Sequence, residues 1–162
     1  MAATLPAGAA VVFRAFGAAD AEAVGRELRR VATARRLKLL VGADARLAAA
    51  VGADGVHLPE RLAGRARALK TWRPDWIVTA AAHSERAAHL AGRAGADAAV
   101  VSAVFPSRSP SAGAPIGPVR LAAIARRAPL PVYALGGVNS KTARRLLDAG
   151  LAGLAAVDAL RT

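Results

Sequence analysis

The chain of 162 residues reads as an α/β protein with a parallel sheet, and three observations carry that reading. Seven short apolar runs recur with little polar alternation, the pattern of strands covered on both faces. Stretches with helical spacing of apolar residues separate them. The junctions repeat as well: Gly52-Ala53-Asp54-Gly55-Val56, Gly95-Ala96-Asp97-Ala98-Ala99 and Gly150-Leu151-Ala152-Gly153-Leu154 each close a helical stretch and open a strand. The first glycine of each supplies the left-handed residue that ends a helix. Short crossovers of this kind are right-handed and place the helices outside the sheet.

The elements follow in order. Met1 to Ala9 is an irregular lead-in containing Pro6 and Gly8. The first strand is Ala10 to Phe16, and a helix from Ala19 to Arg35 carries Val24, Leu28 and Val31 on one face, with Asp20 in its first turn. Leu37 to Val41 is the second strand. A compact helix from Asp44 to Val51 ends at Gly52, and Gly55 to Leu58 is the third strand. A helix from Glu60 to Trp72, a strand from Trp76 to Ala82, and a helix capped by Ser84 and running through Ala94 come next. The fifth strand spans Ala98 to Phe105. The longest loop, Pro106 to Pro115, precedes a helix with Pro118 in its first turn that runs to about Arg127. The chain then enters PVYALGGV, a helix from Ser140 to Ala149, and a last strand from Gly153 to about Leu160.

Within PVYALGGV (Pro131 to Val138), the apolar run Val132 to Leu135 meets Gly136 and Gly137, which let the backbone turn with no Cβ in the way. Bare amides at a strand's C-terminal end, next to a helix start, favour an anion such as phosphate. No glycine-rich dinucleotide fingerprint follows the first strand, where Phe16-Gly17-Ala18 stands instead. A phosphate-type turn after the penultimate strand is typical of a TIM-type (β/α)8 barrel, and the count of seven parallel strands is one β/α unit short of it. Residues 1–162 form a single domain on this reading.

Composition bounds the rest. The hydrophobic fraction is 54%, aromatics are 4% and there is no cysteine, which leaves no disulfides or thiolate metal sites to consider. Neither a secretory signal nor an apolar run long enough to cross a bilayer is present, so the expectation is a cytoplasmic protein without membrane partners. The net charge is +12. Its arginines are spread over several helices without stacking aromatics among them, which points to solvated outer faces rather than to nucleic acid.

Five segments, in this order and spacing, carry a resemblance: GADGVHL (Gly52 to Leu58), HS (His83, Ser84), VFPS (Val104 to Ser107), PIG (Pro115 to Gly117) and PVYALGGV. From Ala10 onward the chain resembles the superfamily of thiamine phosphate synthases and TenI-type thiazole tautomerases, whose members are (β/α)8 barrels. Ala10 to Phe16 then corresponds to the family's second strand. The resemblance therefore implies that the first β/α unit is missing, with the barrel closed through a partner chain or the start truncated. It also implies a role in thiamine biosynthesis and a phosphorylated thiazole as ligand. Gly117, Gly136 and Gly137 match thiazole-phosphate contacts, completed by the backbone around Val157 and Asp158, and Arg14 keeps the arginine of a Gln-Leu-Arg strand motif.

Other family features are altered. Val12 and Phe16 replace the Gln and Lys that flank this arginine, and Gly42-Ala43 replaces an Asn-Asp pair, leaving Asp44 as the one metal candidate. Pro59-Glu60-Arg61-Leu62 stands for Gly-Gln-Glu-Asp. In the Thr-x-Thr-Lys loop, Ser107-Arg108-Ser109-Pro110 loses the lysine but keeps serines and offers Arg108 as a cation. The serine at the end of the last strand becomes Asp158, which would repel a phosphate if it pointed inward. These losses fall on diphosphate and Mg²⁺ binding, so synthase activity is expected to be impaired and Mg²⁺ to matter only if that activity is retained. Tautomerisation or non-catalytic ligand binding are the alternatives. Catalytic candidates are Arg14, His57 and His83, since a neutral histidine can shuttle a proton. A structural hydrogen bond for His57 and a helix cap at His83-Ser84 compete with that role, and His89 reads as a surface residue.

Overall fold

The computed structural model describes residues 5–107 and 113–157. Seven parallel strands lie in chain order: β1 (Ala10–Phe13), β2 (Lys38–Gly42), β3 (Gly55–Leu58), β4 (Ile77–Ala82), β5 (Ala98–Val101), β6 (Val132–Ala134) and β7 (Gly153–Leu154). The connecting helices are α1 (Ala21–Ala34), α2 (Ala45–Ala50), α3 (Ala66–Trp72), α4 (Glu85–Arg93), α5 (Gly117–Arg127) and α6 (Ser140–Ala143). Among the described residues β1 and β7 do not pair, so the sheet curls into a TIM-like half-barrel with two edges.

The strands divide their side chains between two faces, because successive residues point to opposite sides. Leu39, Val41, Val56, Leu58, Val78, Ala80, Val101 and Val132 join helix residues such as Ala32, Ala48, Ala88, Leu121 and Ile124 in one buried cluster. Many of its members are alanines, which lets the helices lie close to the sheet. Alternate residues (Leu40, Gly42, His57, Thr79, Ala81, Val100, Tyr133) form the inner, concave face. This face holds the polar side chains.

The repeated glycine junction has a physical basis beyond ending a helix. Asp54 donates its backbone N–H to the Leu39 carbonyl at 2.8 Å, while its carboxylate accepts the Leu39 N–H at 2.8 Å. Asp97 does the same with Val78, at 2.7 Å in both directions. Each aspartate thus pins the start of the neighbouring strand, supported by Arg29 on Asp54 and Lys70 on Asp97. At the third junction Ala152 keeps the backbone bond, N–H to the Val132 carbonyl at 2.9 Å, but has no carboxylate to return it.

Several boundaries differ from the sequence expectation. β1 ends at Phe13, and the chain after it reaches Phe16, whose φ is +49°. The fifth strand breaks after Val101; its remainder rejoins the chain beyond β6, where Val104 and Phe105 donate N–H to the Leu135 and Gly136 carbonyls. The expected helix over Glu60–Trp72 opens as a 3-10 helix, Glu60–Arg65, and becomes α-helical only from Ala66, with Gly64 near the change. The helix after Asn139 likewise tightens to 3-10 geometry at Arg144–Leu146. The last strand is two residues long within the described chain. Asp20 sits at the start of α1 without a side-chain capping bond, whereas Ser84 caps α4 by accepting the Ala87 N–H at 3.1 Å.

Candidate functional site

The C-terminal ends of the strands form two neighbouring regions, one built on β1 to β4 and the other on β5 to β7. In the first, register places Gly42 beside His57 and His57 beside Thr79. Arg14 follows the Phe13–Val41 pair and so lies next to Gly42. A Cβ at Gly42 would stand 3.1 Å from Arg14 Cγ, so the glycine leaves room for the arginine stem. The Phe16 ring centroid lies 4.6 Å from the Arg14 guanidinium carbon.

His57 is the most perturbed group here. Its Nδ1 shares a hydrogen bond with Thr79 Oγ1 at 2.9 Å. Burial, and then the neighbouring Arg14 charge, lower its pKa from 6.5 to about 4. His57 is therefore neutral at neutral pH and weakly basic. His83 and Glu60 sit at the ends of β4 and β3. One Glu60 oxygen, Oε2, accepts both the His83 backbone N–H at 2.9 Å and the His83 Nδ1 at 2.7 Å. Both side chains are about half exposed. His89 bonds Nδ1 to the Glu85 carbonyl within α4.

Asp44 is committed to α2, whose Leu47 N–H its carboxylate accepts at 2.9 Å. Glu60 is engaged with His83. Among the described residues no three histidine, cysteine or acidic side chains come together as a metal site.

The second region is made of backbone. Gly136 and Gly137 have φ of +94° and +64°. A Cβ at Gly136 would meet Ala103 Cα at 2.8 Å, and one at Gly137 would meet the Pro106 carbonyl oxygen at 2.5 Å. The segment Ala103–Pro106 thus rests against the glycine pair with no room for a side chain. Among the described residues, no acceptor takes the N–H groups of Gly136, Gly137 or Val138. The turn is locked from behind: the Gly137 carbonyl accepts from Thr142 Oγ1 at 2.9 Å, and Asn139 and Thr142 form a reciprocal capping box.

The remaining sequence candidates are distributed differently. Gly117 adopts φ +76°, but its N–H donates to the Val104 carbonyl at 3.0 Å, so it serves the loop rather than offering a spare amide. Val157 is exposed just beyond β7, and Ser107 follows the Pro106 carbonyl that abuts Gly137. Arg108, Ser109 and Asp158 lie outside the described residues. Thr79 and Glu60 are the hydrogen-bond partners of His57 and His83, and the sequence reading did not select them. Thr79 is the lone hydroxyl in an otherwise apolar strand, and Glu60 follows the proline that ends β3; neither position alone names its partner.

Comparison with known proteins bears on the family and the fold. A family model described as thiamine monophosphate synthase matches residues 1–160. The putative thiamine-phosphate synthase 2 of Aquifex aeolicus is 33% identical over 134 residues, 83% of this chain and 72% of that protein. The thiamine-phosphate synthase of Methanospirillum hungatei is 34% identical over 145 residues, 88% of this chain and 70% of that one. Among solved structures, a thiamine phosphate pyrophosphorylase from Pyrococcus furiosus superposes with a TM-score of 0.79 at 30% identity, covering 91% of this chain and 71% of its own.

Proposed function

Because the chain belongs to the thiamine monophosphate synthase family, we propose that it binds a phosphorylated thiazole in thiamine biosynthesis, without efficient coupling of that thiazole to a pyrimidine diphosphate. The observation that carries this reading is the turn at Gly136–Val138, whose three N–H groups have no acceptor among the described residues. Phosphate oxygens are strong acceptors, and preorganised amides bind them without side-chain rearrangement. The region at β1 to β4 supports the second half of the proposal. Gly42-Ala43, Leu62 and Phe16 remove the acidic and basic groups that would hold a metal diphosphate, and Asp44 is occupied as a helix cap.

A second reading, thiazole tautomerisation, is favoured by histidines at the same mouth. Proton transfer needs no pyrimidine substrate and no diphosphate site. The two open edges further suggest a homo-oligomer that covers them, since unpaired strands are prone to association. Light scattering on the purified protein reads that state directly: a strict monomer removes the oligomer.

Titration calorimetry with thiazole phosphate, together with a coupling assay containing pyrimidine diphosphate and Mg²⁺, tests the main proposal. Saturable binding without thiamine phosphate formation is the expected result. Efficient product formation, or rescue of a thiamine auxotroph, would replace the proposal with a working synthase, and failure to bind any phosphorylated thiazole would sink it.

A further inference from the structure

The end of the sheet opposite the mouth gathers cations around an aromatic pair. Loops that lead from helices into strands open there, so the last helical turns and the residues after them share one surface. Arg35 and Arg36 follow α1, Arg73 follows α3, and Arg93 closes α4. Arg67 joins them, because its guanidinium donates to the Arg93 carbonyl at 3.2 Å. These five arginines are exposed, and none has a carboxylate partner among the described residues. We propose that this surface binds single-stranded nucleic acid, with Trp72 as a stacking platform for a base and the arginines as contacts to phosphate.

Trp72 is 51% exposed, whereas Trp76 is buried. The two rings meet edge to face with centroids 5.3 Å apart, so the buried indole holds the exposed one in place. The Arg73 guanidinium carbon lies 5.1 Å from the Trp72 centroid and 5.9 Å from that of Trp76. Lys70 fixes the loop between them by donating to the Trp76 carbonyl at 2.9 Å while paired with Asp97. A ring already held in this way loses little freedom when a base stacks on it. Asp75 is the one acid in the Trp72–Trp76 loop, so the surface stays net positive. The sequence reading placed the arginines on helix faces without aromatics among them. Arg73 stands outside that pattern, next to one tryptophan and close to the other.

The partner follows from this pairing of groups. Phosphates complement the cations, and every base offers a π face to an aromatic ring. An anionic bilayer would call for several apolar side chains to insert, and Trp72 is the one exposed large apolar residue in this cluster. The glycine turn lies at the other end of the sheet, so the inference is independent of the thiazole phosphate reading.

Titration of the full chain into a fluorescein-labelled oligothymidylate of about 20 nucleotides, read by anisotropy and by tryptophan emission, tests this. Saturable binding with quenched emission is expected. Affinity should fall about 50-fold between about 50 and 200 mM salt, as for roughly four neutralised phosphates. Trp72→Ala should weaken binding about tenfold with the salt slope unchanged, and Trp72→Phe should stay within about threefold of wild type. Arg67→Gln combined with Arg93→Gln should flatten the slope. Arg86→Gln combined with Arg120→Gln removes the same charge from the first turns of α4 and α5, and should leave the slope as it was. No binding at about 50 mM salt would overturn the proposal. So would binding that Trp72→Ala leaves intact, or that the Arg86 and Arg120 pair weakens as much as the Arg67 and Arg93 pair does, since bulk charge would then suffice. If Trp72→Ala does not fold, wild-type emission decides: unchanged tryptophan fluorescence at saturation overturns the stacking. Retention on phosphatidylserine vesicles without oligonucleotide binding would assign the surface to a membrane and overturn the proposal too.

Discussion

The two regions at the mouth of the sheet are built from different materials. The β5 to β7 region is made by backbone: Gly136 and Gly137 hold φ values that favour glycine, and Ala103 and Pro106 stand where a Cβ would go. The β1 to β4 region is made by side chains: Arg14 over Phe16, His57 on Thr79, Glu60 on His83. A backbone turn cannot be changed piecemeal, because any side chain at Gly137 collides with Pro106. A side-chain array can be exchanged residue by residue without disturbing the fold. The glycine turn is therefore harder to exchange than the side chains beside it.

The largest expected effect comes from breaking the backbone region. Gly137→Ala places a methyl group 2.5 Å from the Pro106 oxygen at a left-handed φ. Strain of this kind costs about 3 kcal/mol, which for a chain of this size lowers Tm by roughly 10 °C. Differential scanning calorimetry reads it, and unchanged stability would mean that the glycines are dispensable.

The side-chain region should instead respond to pH. Folded His57 has a pKa of about 4 against 6.5 when exposed, so the unfolded chain takes up the proton first as pH falls. Stability from this group is complete above pH 6.5 and is lost as pH drops toward 4, by roughly 3 kcal/mol at most. His57→Gln should flatten that part of a urea-denaturation series across pH. An identical slope in the variant would remove His57 as its source.

Smaller effects separate the regions further. Asn139→Ala removes the capping box behind the glycine turn and should cost about 1 kcal/mol. It should also weaken thiazole phosphate binding by a few fold, because the turn loses its rear support. Arg14→Met should raise the His57 pKa by removing the nearby cation, while leaving thiazole phosphate affinity within about threefold. An NMR titration of His57 and a binding isotherm check the two halves of that statement. A tenfold loss of affinity in Arg14→Met would merge the two regions into one site.

Much of this was legible in the sequence because it depends on local rules. Strand order followed from apolar runs and right-handed crossovers, and the Gly-Ala-Asp junctions were visible as a repeat. Their pinning role was not, since it needs Asp54 to face Leu39 and Asp97 to face Val78 across the sheet. The glycine turn was legible for the same local reason, whereas the close packing of Ala103–Pro106 on it depends on a long-range return of the chain. The partners Thr79 and Glu60 were missed because each is defined by a neighbour more than 20 residues away. The break in the fifth strand and the change from 3-10 to α geometry after Glu60 reflect tertiary placement overriding local propensity.

A ¹H–¹⁵N NMR titration of the wild-type protein with thiazole phosphate addresses the central claim most directly. Phosphate held by these amides should produce saturable shifts that are largest at Gly136, Gly137 and Val138. The same titration should be indifferent to added Mg²⁺. Saturable binding whose shifts leave these three amides unmoved would contradict the account, as would the absence of binding.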